Sequence, residues 1–194
     1  MATAPDSPAA QVERAFEYIL SRLATSYGQK ADQIAEFIAR GLRAEGWFAM
    51  EALHYLTNTT AAKVIQVEQV RGRSQGESEF NPDLQIRIGA QSHQLAIKSM
   101  PLLGELDIPH YFATELPPLF KWMDDLKDRA ALLTIAYPCS MGDDGWRESV
   151  STAESAHRVS VVGETDFVVP RPPLPMAKAC IALWRHSSVV SRDG

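Results

Sequence analysis

DLQIRIGAQSHQLAIKSM, running from Asp83 to Met100, alternates apolar and polar side chains in two runs with GAQS between them. In an extended chain successive side chains point to opposite faces, so each run sorts into an inner and an outer set. In the first run Leu84, Ile86 and Ile88 share one face and leave Asp83, Gln85 and Arg87 on the other. In the second, Leu95 and Ile97 oppose Gln94, Ala96 and Lys98. Gly89–Ser92 has the length and composition of a hairpin turn. The stretch therefore predicts an antiparallel hairpin, Asp83–Ile88 against His93–Ser99.

Working outward, Pro117–Arg129 (PPLFKWMDDLKDR) predicts a helix with proline at its start, where a missing N–H costs nothing. Ala130–Tyr137 (AALLTIAY) is nearly all apolar, as in a strand covered on both faces. Upstream, Val12, Phe16, Ile19, Leu20 and Leu23 fall on one helical stripe from Gln11 to Gly28. Asp32 is placed to cap a second helix with the stripe Ile34, Phe37, Ile38 and Leu42, closed at Gly46. Trp47–Leu56 suits neither the helical nor the strand template. Lys63–Val70, rich in β-branched residues, predicts a strand, and Arg71–Glu79 a polar loop. Pro138–Gly163 is polar and predicts a loop containing a short helix or strand. Phe167–Val169 and Lys178–Trp184 predict strands flanking the proline cluster Pro170–Pro175. Together these elements imply an α+β or α/β fold: a mixed sheet of four to six strands flanked by helices, in a single domain over 11–194 after a frayed tail over 1–10.

Composition narrows the function classes. The 194 residues carry 19 Lys+Arg against 24 Asp+Glu, a net charge of −5, and the sequence pI is about 5.5. That sign opposes wholesale attraction to nucleic acid and suits a basic protein partner. The apolar runs are far shorter than the roughly twenty residues that span a bilayer, so no membrane association is expected, and a cytoplasmic location is. Cys139 and Cys180 lack a CxxC partner and are expected to be buried as small apolar residues. The five histidines show no HxH or HExxH spacing, so no zinc site of those types is expected.

The order helix, strand, hairpin, helix, buried strand, together with Pro82-Asp83 and then Lys98 on the next strand, resembles the PD-(D/E)XK nuclease superfamily. The resemblance covers about 32–137, with the C-terminal strands (164–186) added to that restriction-endonuclease-like core. It implies that Asp83 and a second acid hold Mg²⁺, which clamps the scissile phosphate and acidifies water, while Lys98 steadies the attacking hydroxide. Such families often add a Glu from the preceding helix, a place that Glu36 matches. The chain departs from the pattern at one point: the acid expected two residues before Lys98 is Ala96. A methyl group binds no metal, so Glu36 or Glu68 would have to replace it.

Two functions follow from this departure. In the first, the scaffold is a non-catalytic binding or inhibitory protein of the immunity type, with a protein partner of basic character and no cofactor. In the second, it is an active Mg²⁺-dependent nuclease on DNA or RNA, with Asp83, Lys98 and a relocated carboxylate at Glu36 or Glu68, and Asp83 and Glu36 on the metal. For a binding role the polar loops supply the candidates. Trp146 beside Asp143 and Asp144 has the composition of an anchor for a basic partner, and Arg71 and Arg73 form the basic cluster.

Overall fold

Two helical layers enclose a six-stranded mixed sheet. The computed structural model describes residues 7–58, 65–69, 82–102, 106–171 and 174–188. In chain order the elements are α1 (Pro8–Gln29), α2 (Ala31–Ala39), α3 (Glu45–Asn58), β1 (Ile65–Gln69), β2 (Leu84–Ile88), β3 (Gln91–Pro101) and α4 (Ile108–His110). There follow α5 (Pro117–Leu126), β4 (Ala130–Tyr137), α6 (Asp144–Ala156), β5 (Val159–Arg171) and β6 (Leu174–His186). A π-helical turn, Tyr111–Glu115, continues α4, and a 3₁₀ turn, Lys127–Arg129, follows α5. The strand order is β1-β2-β3-β4-β6-β5, with β3 and β4 parallel and every other neighbouring pair antiparallel.

The Asp83–Met100 stretch folds as its alternation predicts. Leu84 pairs with Leu95 and Ile88 with Gln91, and Leu84, Ile86 and Ile88 are buried on one face. The turn is tighter than expected. Only Gly89 and Ala90 join the strands, with Gly89 at φ +60°. Glycine at the first of two loop positions lets the backbone twist match that of the strands.

Both sheet faces are covered, which explains the continuous apolar run of β4. Phe16, Ile19 and Leu23 of α1, Ile34 of α2 and Phe48 of α3 pack on one face with Leu84, Leu95, Ile97 and Leu133. Phe120, Trp122 and Met123 of α5 and Trp146 of α6 pack on the other with Ala96, Leu132 and Trp184. Cys139 and Cys180 are buried thiols, as their isolation suggested. Thr134, the polar residue of β4, accepts a hydrogen bond from Trp184 Nε1 at 3.0 Å.

Several boundaries move, each for a local reason. Ser7 Oγ accepts from the Ala10 amide, so α1 starts at Pro8 and residues 8–10 are helical instead of frayed. The second helix stops at Ala39, not Gly46. Gly41, at φ +65°, donates to the Ile38 carbonyl and Leu42 to that of Phe37, the paired bonds of a Schellman stop. Asp32 lies in the first turn of α2, and Lys30 occupies the cap position. Trp47–Leu56 is helical: Phe48, Ala52 and Leu56 form the inner row. Glu51 obscured that row, because it too is buried, accepting from Ser26 Oγ and pairing with Lys30. The polar segment after Pro138 contains a helix of 13 residues, since its inner row of Trp146, Ser149 and Ala153 is mostly small. The predicted loop Arg71–Glu79 lies outside the described residues.

Candidate functional site

β2 starts at Leu84, so from Ile97 onward β3 keeps a strand neighbour only on its β4 side. Asp83 sits at that fork. Its amide donates to the Leu95 carbonyl at 3.1 Å, and its Oδ2 accepts from the Ile97 amide at 2.7 Å. The carboxylate thus continues the ladder where the strand ends. Burial raises the Asp83 pKa above the usual carboxylate value; the Ile97 amide pulls it back in part, and the charge of Glu45 raises it further.

Lys98, two pleats beyond Gln94, reaches two carboxylates. Its Nζ is 2.6 Å from Glu115 Oε2 on the π-helical turn and 3.2 Å from Glu45 Oε1 in the first turn of α3. Arg43 grips Glu115 from the other side, Nη2 to Oε1 at 2.8 Å and Nη1 to Oε2 at 3.0 Å, in the two-pronged geometry that suits guanidinium and carboxylate. Burial opposes ionisation of Glu115, but the hydrogen bonds from Lys98 and Arg43 outweigh it and hold this carboxyl below its ordinary range. Ser99 Oγ accepts from the Ala44 amide at 3.4 Å and so ties the start of α3 to β3. Burial pushes the neighbouring Tyr137 phenol up to about 12.

Glu45 acts on both Asp83 and Lys98, and Glu115 and Arg43 complete the cluster at this corner; the sequence singled out none of these three. Glu45 was hidden because the helix that it opens had no clear period. Glu115 lies in a π-helical turn, whose spacing no 3.6-residue template detects. Glu36 is not in the corner: it lies on α2 and pairs with Arg40 one turn away at 2.6 Å, with both side chains mostly in solvent. Glu68 stands opposite Gln85 on β1, two strands from Lys98. Arg71 and Arg73 lie outside the described residues.

The expected Trp146 anchor is corrected. Trp146 is fully buried in α6, and its Nε1 donates to Glu164 Oε2 at 2.9 Å, so it pins its own helix to β5. Asp143 precedes that helix and accepts from the Ser140 amide at 2.8 Å, while Asp144 forms its exposed first turn. A groove of about 320 Å³ runs between the π-helical turn and α6, past Phe112, Ser149 and His157.

Mg²⁺ requires a near-octahedral set of oxygens at about 2.0–2.1 Å. The donors at the corner do not fit it. Ala96 is buried in the core and offers only a methyl group. The Lys98 ammonium stands between Glu45 and Glu115, where a cation would have to enter, and one Asp83 oxygen is engaged by the Ile97 amide. Among the described residues no three His, Cys, Asp or Glu side chains converge as a metal would need. No helix among them is long and apolar enough to cross a membrane. Comparison of the chain with protein-family profiles, curated proteins and solved structures finds no match.

Proposed function

We propose that the chain is a binding or inhibitory protein of the immunity type, built on a nuclease-like scaffold whose catalytic corner has become a structural ion-pair cluster. One observation carries this reading: Lys98 is clamped between Glu45 and Glu115, with Ala96 buried beside it. The succession α3, β1, β2–β3, α5, β4 supports the nuclease-like ancestry. An ammonium held by two carboxylates is a poor partner for a developing charge on a substrate, because it would first have to break both contacts. The acidic balance of the chain supports a basic protein partner over nucleic acid.

The test is calorimetry with Mg²⁺ and Mn²⁺ beside cleavage assays on plasmid and RNA. The expected result is no binding heat and no cleavage for the wild type. Cleavage that needs Mg²⁺ and disappears in Asp83→Ala would overturn the proposal. It would establish instead the active nuclease, with Glu45 as the relocated acid that Asp83 already senses.

A further inference from the structure

At the opposite end of β3 from the clamped lysine, two basic side chains are buried against one carbonyl. His93 of β3 is 2% exposed and Arg185 of β6 is 3% exposed. His93 Nδ1 lies 3.0 Å and Arg185 Nη2 lies 2.8 Å from the carbonyl oxygen of Asp128. A carbonyl only accepts, so Nδ1 carries the imidazole proton and Nε2 is left as a lone pair. Nε2 is buried without a partner, and so is Arg185 Nε. Both side chains meet Phe16 of α1: the Arg185 guanidinium lies 4.2 Å from the ring centroid, and the imidazole stands edge-on to the ring at 5.5 Å.

We propose that His93, Arg185 and the Asp128 carbonyl form an acid-sensitive latch, which holds the Phe16 turn of α1 on the sheet at neutral pH and frees it when Nε2 takes up a proton. Protonation would place a second cation on the same carbonyl and create a buried N–H with no acceptor. Phe16 touches both groups, so lifting its turn would open the pair to water.

Two carboxylates act on the latch. From the 3₁₀ turn the Asp128 side chain favours the charged form of both bases, and from α1 Glu13 favours that of Arg185, but at His93 burial outweighs this support. β2 places Ile86 opposite His93, while β4 and β5 place Ala131 and Ser160 opposite Arg185. Burial lowers the His93 pKa; the hydrogen bond to Asp128 restores part of it, and the Arg185 charge lowers it further. The closed form therefore binds this proton less readily than the open form. Opening is favoured as pH falls from about 6.5, the value of a solvated imidazole, toward the depressed value of the closed form.

The experiment measures amide exchange along α1 in the wild type and His93→Asn at about pH 7 and about pH 5, corrected for the intrinsic rate; an NMR titration of the wild-type histidines accompanies it. Asparagine keeps a donor for the Asp128 carbonyl and has no titrating group. In the wild type, protection around Phe16 is expected to fall by up to about tenfold per pH unit below the midpoint, with α6 unchanged and His93 titrating below 6.5. In His93→Asn that local loss should vanish. Three results would overturn the latch: His93 titrating at or above the solvated value, equal loss of protection in α1 and α6, or the same local loss in a folded His93→Asn. If the variant does not fold, the wild-type titration and exchange decide alone.

Discussion

Asp83 holds a charge that the fold does not require. Its Oδ2 accepts from the Ile97 amide, a task that the oxygen of an asparagine side chain performs as well, while burial and Glu45 both oppose its ionisation. A raised native pKa means that the ionised form costs stability at every pH above it and that the cost disappears on acidification. Asp83→Asn is therefore expected to raise the unfolding midpoint at neutral pH, with the gain fading as pH falls through the native pKa of Asp83 toward about 4. Equal midpoints at neutral pH would show that the charge is compensated. Lys98 behaves in the opposite way. Lys98→Met strands Glu45 beside Glu115, which keeps its pair with Arg43, and is expected to cost about 1–3 kcal/mol in denaturant unfolding. Adding Glu45→Gln should recover part of that loss; no recovery would remove the stranded charge as its cause.

At the scale of elements, the close approach of α1 to β5 depends on Gly163. A Cβ built there would lie 2.7 Å from Leu20 Cδ2, beside the bulge between Val161 and Gly163. Leu20 is buried, but it also lines a groove of about 610 Å³ between α1 and β5, into which its Cδ2 end can turn. Gly163→Ala is expected to destabilise by no more than about 1 kcal/mol through overpacking, read as a slightly lower denaturant midpoint at an unchanged slope. A stabilised variant would mean that Leu20 moves freely and that α1 is not seated against the bulge. The same dependence on neighbours explains which helices the sequence revealed. The stripe of α1 from Val12 to Leu23 and that of α5 are apolar and legible alone. The inner rows of α3 and α6 include Glu51 and Ser149, whose burial depends on partners from other elements or on close packing.

For the whole molecule, acid should act in two steps. The first belongs to His93, whose lowered native pKa withdraws stability as pH falls below about 6.5. The second belongs to Glu115, Glu51 and Asp166. Burial opposes their ionisation, yet Lys98 and Arg43, Lys30 and Ser26, and Met141, Ser140 and Lys178 respectively hold their carboxyls low. Their contributions are full above about 4.5 and are lost as pH falls through the native values. Asp83 works against this second step, since its protonation relieves a native-state cost. Denaturant midpoints measured across the acid range should show a shallow decline and then a steeper one, and the shallow decline should be absent in His93→Asn. A single acid transition at carboxylate pH in the wild type would contradict this division.

Local pattern by itself determined the β2–β3 hairpin, the doubly covered β4, the helices α1 and α5 and the mixed sheet between helical layers. Each of these rests on a period of 2 or 3.6 residues, or on an unbroken apolar run, carried by contiguous residues. The resemblance to the PD-(D/E)XK pattern, not periodicity, singled out Asp83 and Lys98, which the hairpin places at one end. Only the tertiary structure decided what surrounds them. Glu45 and Glu115 are separated from Lys98 by 53 and 17 positions in the chain and reach it through a helix start and a π-helical turn. The burial of Trp146 was equally invisible, since Glu164 supplies its hydrogen-bond acceptor from another element. Periodicity reports which way a side chain points within its own element. The charge, acceptor or ring that it meets there is set by packing between elements.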